Sequence, residues 1–296
     1  MKMLLRYFFG CLCCTFLALV SYADPAAEII EQFPSGTINW TRGVVTAKGN
    51  SSIGDVDRRV QQGGKYDRAY QQAIQNLRQT LSRLRLDNQN CILDLLSTQT
   101  QTLDQLKAEE MTASAKVVNK TQNPAGDITV TLEMNLYGGF AQLMLPSDVR
   151  QVESIKPLNG SGRDSYNSNQ VQSAQNQSSG TEPEAYSGLI VDARGIVVSP
   201  SMVPVLVDEN GQEVYGPAYV SREFAVQNGM CRYVRGIDNS YALPRVAPNP
   251  MLVKGLRAVS KGNCDIVISN ADASRLRGVS SHLEFLKQCR VVIIID

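Results

Sequence analysis

The strongest pattern in the chain is a strict alternation of apolar and polar residues between positions 128 and 136. This alternation predicts a strand with one buried face. The preceding segment 114–121 is a plausible partner, and the sequence Asn-Pro-Ala-Gly-Asp between the two favours an antiparallel hairpin. A further strand is predicted over 37–46. The buried face of the alternating strand is expected to consist of Ile128, Val130, Leu132, Met134 and Leu136.

Between these strands the apolar residues recur at steps of three and four, which is typical of a helix with one apolar stripe. The pattern predicts an amphipathic helix over 57–86, and a second helix is predicted after Asn88. One strand, two helices and two strands in this order predict a small antiparallel sheet with helices covering one face. The stripe of the first helix consists of Tyr66, Tyr70, Ala73, Leu77, Leu81 and Leu84.

The last part of the chain predicts a second unit, of α/β type. A strand is expected at 186–193, a hairpin around Asn210-Gly211 and a short helix at 221–229. The chain then ends in a βαβ unit with its strands at 265–269 and 290–296 and its helix at 271–287. A right-handed crossover would make those two strands parallel. The fold class predicted for the whole chain is therefore α+β.

A change in composition separates the two units. Residues 158–185 are rich in Asn, Ser, Gln and Gly and contain few apolar residues. Such a segment cannot bury enough surface to offset the conformational entropy lost on ordering, which favours a flexible linker. The predicted organisation is a leader at 1–23, an N-terminal α+β domain at 24–157, the linker at 158–185 and a C-terminal α/β domain at 186–296.

The first residues carry the features of a secretory signal peptide. Lys2 and Arg6 precede an uncharged apolar run over 7–20, which is shorter than the ~20 residues that a membrane-spanning helix needs. The sequence Ser-Tyr-Ala before Asp24 suits signal peptidase, so cleavage is predicted between Ala23 and Asp24. Lipidation at a leader cysteine is the less favoured alternative, because much of the apolar run follows Cys11. The mature chain is expected in the periplasm, either free there or associated with the outer membrane.

Charge and hydropathy exclude some classes of partner. The chain has 29 basic and 28 acidic residues, for a net charge of +1. This balance argues against nucleic-acid binding, which needs a clustered basic excess. After Val20 no apolar run is long enough to cross a bilayer, so we predict no integral membrane segment in the mature chain.

Four cysteines remain after the predicted cleavage, and their spacing is not that of a zinc site. In an oxidising compartment four cysteines allow three complete pairings. Cys264 and Cys289 each come just before a strand of the predicted βαβ unit. If those strands were parallel neighbours, the two sulfur atoms would approach bonding distance. A Cys264–Cys289 disulfide is therefore the candidate pairing.

The sequence offers no recognisable catalytic, cofactor-binding or metal-binding arrangement. His282 is the only histidine and lies at the flank of a predicted helix stripe, so a packing role is favoured over that of a catalytic base. Trp40, Tyr66 and Tyr70 suggest a sugar-stacking platform, but their spacing is more typical of core residues. The prediction is a protein that is not an enzyme and carries no cofactor.

One polar pair supports a rival function. Asp192 and Arg194 follow a predicted strand, where a carboxylate and a guanidinium can grip a charged ligand. They can equally bind each other. The rival hypothesis is a periplasmic ligand-binding or hydrolytic domain that uses these two residues.

Several segments together resemble the Lpp-twenty-type family of bacterial envelope proteins, to which flagellar outer-membrane and basal-disk proteins are related. In the first domain the similar parts are the strand with Trp40, the helix with Ala69, Tyr70 and Ala73, and the strand at 129–137. The second domain is similar to an extension found in larger secreted members, over 186–195, 208–216 and 265–272.

The resemblance implies an envelope protein that associates with itself or docks on other envelope proteins, linked to flagellar or envelope assembly, without enzymatic chemistry. This chain lacks the lipidation cysteine of many members, so we expect it to attach through partners. The leading hypothesis is accordingly a secreted structural and interaction protein. Self-association is expected because small sheets with exposed edges pair with other copies.

Overall fold

The computed structural model describes residues 28–52, 64–97, 109–149, 186–239, 241–259 and 262–296. The predicted leader and the predicted linker lie outside these ranges, and the domain boundaries drawn at 157 and 185 remain predictions. Helices and strands account for 28% and 30% of the structure, with an antiparallel sheet in the N-terminal part and a mixed sheet in the C-terminal part. The predicted α+β class is therefore confirmed.

The N-terminal sheet is antiparallel and has the strand order β1-β2-β3-β5-β4. The predicted hairpin is present as β4 and β5. The strand predicted over 37–46 is two strands, because the chain turns at Gly43, whose positive φ of 69° suits glycine. The strands are β1 (Ile30–Phe33), β2 (Gly36–Asn39), β3 (Val44–Asn50), β4 (Lys116–Gln122) and β5 (Ile128–Asn135).

The first helix, α1 (Lys65–Ser82), covers one face of this sheet. Its buried positions Ala69 and Ala73 are small, and they meet Gly49 of β3. A Cβ at Gly49 would lie 2.1 Å from the Ala69 carbonyl oxygen and 2.3 Å from the Ala73 nitrogen. The helix backbone therefore lies directly on the strand. Two short helices complete this part, α2 (Ile92–Ser97) and α3 (Gly139–Met144).

The C-terminal sheet has the strand order β8-β7-β11-β10-β6-β12-β9. The Asn210-Gly211 hairpin joins β7 and β8, with Gly211 at a φ of 78°. The strands are β6 (Gly188–Asp192), β7 (Leu206–Val207), β8 (Glu213–Tyr215), β9 (Arg232–Val234), β10 (Pro250–Ala258), β11 (Ile266–Ile268) and β12 (Val291–Ile294). The helices are α4 (Arg222–Asn228), α5 (Leu243–Val246), α6 (Asn270–Arg277) and α7 (Ser280–Lys287).

The predicted parallel βαβ ending is wrong. β10 and β6 lie between β11 and β12, and β11 runs antiparallel to β10, whereas β10, β6 and β12 are mutually parallel. β11 and β12 are therefore antiparallel and not neighbours. The helix predicted over 271–287 is two helices, since α6 ends before Gly278 and α7 begins at Ser280.

The two sheets pack against each other and share one hydrophobic core. Trp40 of the N-terminal part and Tyr233 of β9 meet edge to face, with ring centroids 5.9 Å apart. Backbone hydrogen bonds also cross the boundary, for example from the Val203 amide to the Leu86 carbonyl oxygen, 2.8 Å. The sequence predicts two units on a tether, and the described residues show these units in close contact.

None of the helices in the described ranges combines the length and the apolar content that crossing a membrane requires.

Candidate functional site

The predicted ligand pair is engaged with itself. The Arg194 guanidinium donates two hydrogen bonds to the Asp192 carboxylate, from Nε at 2.8 Å and from Nη2 at 3.0 Å. Lys254 of the neighbouring strand β10 lies 3.4 Å from the same carboxylate. The hydrogen bonds that the Arg194 guanidinium donates are the largest contribution, and together with the charges of Arg194 and Lys254 they hold the pKa of Asp192 far below its usual value. The carboxylate is therefore ionised and already paired.

This geometry favours the structural reading of the pair. The same turn is fastened by the Gly195 amide, which donates to the Asp296 carboxylate at 2.8 Å. If the pair only holds the turn, Asp192→Ala should lower the melting temperature. The rival ligand-binding hypothesis expects lost ligand binding with a nearly unchanged melting temperature.

The candidate disulfide is not formed. Cys91, Cys231, Cys264 and Cys289 are all free thiols. The pairing assumed that Cys264 and Cys289 precede neighbouring parallel strands, but two strands separate β11 from β12. Each sulfur instead approaches a nearby carbonyl oxygen, that of Gly262 at 3.3 Å for Cys264 and that of Lys287 at 4.0 Å for Cys289.

Burial also makes the thiols of Cys231, Cys264 and Cys289 weak nucleophiles. Desolvation raises the pKa of Cys231 to about 12, and that of Cys264 and of Cys289 to about 11. Because the thiolate is the reactive form, little of it is present near neutral pH. The three buried cysteines behave as packing residues.

His282 is buried between two aromatic rings. Its ring centroid lies 5.2 Å from that of Tyr186 and 5.6 Å from that of Phe285, and its Nδ1 lies 3.0 Å from the Arg275 carbonyl oxygen. This is the packing position that the helix stripe predicts.

The three aromatic residues of the hypothetical sugar platform do not come together. Trp40 is buried between the two sheets, beside a small cavity of about 20 Å³ that Ser201 also lines. Tyr66 and Tyr70 stack on each other along α1, with ring centroids 6.2 Å apart. Trp40 is therefore a core residue, and Tyr66 and Tyr70 are partly buried residues packed against the core.

The arrangement with the clearest capacity for binding is one that the sequence analysis missed. Three arginines line an open pocket of about 370 Å³ in the C-terminal unit. Arg232 is the first residue of β9, Arg245 lies in α5, and Arg290 directly precedes β12. The other residues that line the pocket are Asn228, Tyr241, Pro244, Gln288 and the buried Cys289.

The three guanidinium groups are fixed by main-chain carbonyl oxygens. Arg232 donates to Thr41 at 2.9 Å, Arg245 donates to Asn228 at 2.9 Å and to Gly229 at 2.6 Å. Arg290 donates from Nε to the carbonyl oxygen of Arg245 at 3.1 Å, and from Nη2 to that of Ala247. In the part of the chain that the structure describes, none of the three forms an ion pair with a carboxylate.

No local pattern in the sequence points to this pocket. Its arginines are far apart in the sequence, and β9 was not predicted. The only available hint was position, since Arg290 comes directly before the buried apolar strand at the end of the chain. Parallel pairing of β12 with β9 places Arg232 opposite Val292, two residues after Arg290.

A second exposed feature is the edge of the N-terminal sheet. β4 is the last strand in the sheet order, and all seven of its residues are exposed. Val117 and Val118 are 42% and 53% exposed. Within the described ranges β4 pairs with β5 only, so its other side presents free main-chain groups.

Together these features define an α+β protein of two packed sheets, with a basic pocket in one and an open edge in the other. The C-terminal part, residues 188–296, matches a family model described as Treponema pallidum Tp0624, second domain. The match begins at β6 and includes every strand of the C-terminal sheet. No curated protein matches the chain. The resemblance to the Lpp-twenty-type family remains a prediction.

Proposed function

We propose that this protein is exported and acts in the periplasm or at the outer membrane as a structural and interaction protein. In this proposal it associates with itself and with other envelope proteins in flagellar or envelope assembly, and catalyses no reaction. The leader supports export. The engaged state of Asp192, the burial of His282 and the raised pKa values of the thiols support a role without catalysis.

The observation that carries the proposal is the exposed edge strand β4. A strand with one unpaired side can add a strand from another chain, because its free N–H and C=O groups form a template. We propose that the added strand is β4 of a second copy, in antiparallel orientation. The exposed valines Val117 and Val118 would then be partly covered.

The charges along β4 select a register. If the outer side of β4 pairs without interruption about Asn119, Lys116 faces Gln122 and Val118 faces Lys120, and this register passes through the irregularity between Val117 and Asn119. No lysine then faces a lysine. A register centred on Val118 would set Lys116 against Lys120, and like charges directly opposite each other are destabilising. The favoured pairing is therefore symmetric about Asn119.

Two features of β4 favour a dimer over an open fibre. The strand has an irregularity in register between Val117 and Asn119, and bulges and lysines restrict the pairing of edge strands. A symmetric antiparallel pair also uses both copies of the same edge, which closes the assembly. The opposite edge of the sheet is the four-residue strand β1.

Light scattering and sedimentation of the mature protein over a range of concentrations test this proposal. We expect a monomer–dimer equilibrium. Val118→Lys should weaken dimerisation, because it places a lysine opposite Lys120 of the second copy, and Val118→Glu should strengthen it. Val118→Thr is the matched control, since it keeps the size and strand preference of the side chain. A strict monomer, or equal dimerisation of the Lys and Glu variants, would contradict the pairing.

Export is tested separately. Protein recovered from the periplasm should begin at Asp24 in N-terminal sequencing. Recovery of the chain in the cytosol with residues 1–23 still attached would contradict the proposed location.

A further inference from the structure

The three-arginine pocket is distinct from the β4 edge, and no residue of β4 lines it. We propose that it is a binding site for the phosphate group of a small phosphoester. The inference does not rest on self-association. It rests on the convergence of Arg232, Arg245 and Arg290 around one open volume.

The three arginines come from three different parts of the C-terminal unit and line one pocket. A planar carboxylate is satisfied by one arginine in a two-bond contact. A tetrahedral phosphate has oxygens pointing in several directions, and its larger negative charge is balanced by more than one cation. The pocket has three arginines, one from β9, one from α5 and one directly before β12. This number of cations matches a phosphate better than a carboxylate.

The protein holds these side chains in place and leaves donors for a ligand. Each guanidinium has five N–H donors, and the five bonds to carbonyl oxygens use only part of them. Nε of Arg232 and Nε of Arg245 are buried without a hydrogen-bond partner and are not accessible from the open pocket, so a ligand would bind the remaining Nη donors. A set of fixed, incompletely used donors is the arrangement of a preorganised anion site.

The cluster carries an electrostatic cost that a bound anion would relieve. Burial lowers the pKa of Arg232, and the charge of Arg245 lowers it further. The Tyr137 ring offers partial compensation, since the Arg232 guanidinium carbon lies 4.9 Å from its centroid. The described residues that line the pocket include no Asp or Glu, and the Gln288 amide donates to Glu284 at 3.0 Å.

The rest of the pocket suits the organic part of a phosphoester. Tyr241 is 39% exposed. Tyr241 and Pro244 both line the pocket and provide apolar surface beside the arginines. Asn228 and Gln288 offer amide groups to hydroxyl or carbonyl groups. At about 370 Å³ the pocket is within the range of small-molecule sites, which begins at roughly 300 Å³.

Calorimetric titration of the mature protein, supported by phosphorus NMR, tests the site with inorganic phosphate and phenyl phosphate. Sodium acetate and sodium chloride at equal ionic strength serve as anion controls. We expect phosphate to bind and phenyl phosphate to bind more tightly, because its ring contacts Tyr241. Absence of phosphate binding at millimolar concentration, or equal binding of acetate, would overturn the proposal.

Matched variants locate the binding. Arg290→Gln should weaken phosphate binding at least tenfold, whereas Arg257→Gln, at an exposed residue of β10, should leave it unchanged. Asn228→Asp adds a negative charge at the exposed rim without changing the size of the side chain, and should also weaken binding. Its control is Gln227→Glu, next to it and outside the pocket. If the affinity of Asn228→Asp and of Arg290→Gln equals that of the wild type, phosphate binds elsewhere and the assignment is wrong.

Discussion

The Thr41 hydroxyl donates a 2.8 Å hydrogen bond to the carbonyl oxygen of Tyr233 and accepts one from the Ile29 amide at 2.9 Å. Thr41 lies in the turn between β2 and β3, and Tyr233 lies in β9. One buried hydroxyl thus connects the N-terminal sheet with the C-terminal sheet. Beside it, Arg232 donates to the Thr41 carbonyl oxygen, so the turn also positions one side of the basic pocket.

Thr41→Val should therefore destabilise the protein without changing the volume of the side chain. The substitution leaves a buried amide and a buried carbonyl without their partner, at a cost of about 2 kcal/mol. Chemical denaturation measures the loss, and Thr121→Val at an exposed position of β4 is the control. A loss no larger than that of the control would show that this hydroxyl does not hold the sheets together.

Gly49→Ala should be more severe. The added Cβ would lie 2.1 Å from the Ala69 carbonyl oxygen, so α1 must move away from β3. Overpacking of this kind costs about 3 kcal/mol or more. Gly139→Ala is the control, because no heavy atom lies within 4 Å of the new Cβ and alanine favours the helix. Similar melting temperatures for the two variants would contradict the close contact of α1 with β3.

Asp265 makes stability depend on pH. Burial raises its pKa to about 6, and the charges of Asp87 and Glu213 add to the effect, while a hydrogen bond from the Val205 amide opposes it. Below pH 4 the carboxyl group is protonated in both the folded and the unfolded protein, and it contributes no penalty. Between pH 4 and pH 6 the folded protein holds the proton more tightly, so the free energy of unfolding falls as pH rises, and above pH 6 the penalty is complete.

Asp265→Asn should remove that penalty and keep an acceptor for the Val205 amide. We expect thermal denaturation to show almost no gain at about pH 3, an increasing gain up to about pH 6 and a constant gain above it. The comparison at about pH 3 is the internal control. A variant less stable than the wild type at pH 7 would mean that the charged form of Asp265 is favourable in the folded protein.

The cysteines should differ in their reaction with iodoacetamide at pH 8. Cys91 is half-buried, whereas Cys231, Cys264 and Cys289 are buried. We expect slow modification of Cys91 in the native protein and modification of the other three only in denaturant, as measured by mass spectrometry. Cys91→Ser should abolish native labelling. A disulfide-linked peptide containing Cys264 and Cys289 in a non-reducing map of the secreted protein would contradict this prediction. It would support the disulfide that the sequence analysis proposed.

Local structure followed from local patterns. The alternation around Leu132 predicted β5, the stripe through Leu77 predicted α1, and Asn210-Gly211 predicted the β7–β8 hairpin. In each case the segment itself records which side is buried, because the repeat of a strand or a helix determines which residues share a face. The α+β class required no more than these elements.

The sequence by itself therefore determined the type of most elements and the burial of their faces. Only the tertiary structure decided that β10 and β6 separate β11 from β12, that Cys264 and Cys289 stay unpaired, and that Arg232, Arg245 and Arg290 meet around one pocket. The physical reason is the separation in sequence between the residues that interact. A periodic pattern records burial within a segment, whereas the choice of neighbouring strand depends on packing between residues far apart in the chain, which no local spacing encodes.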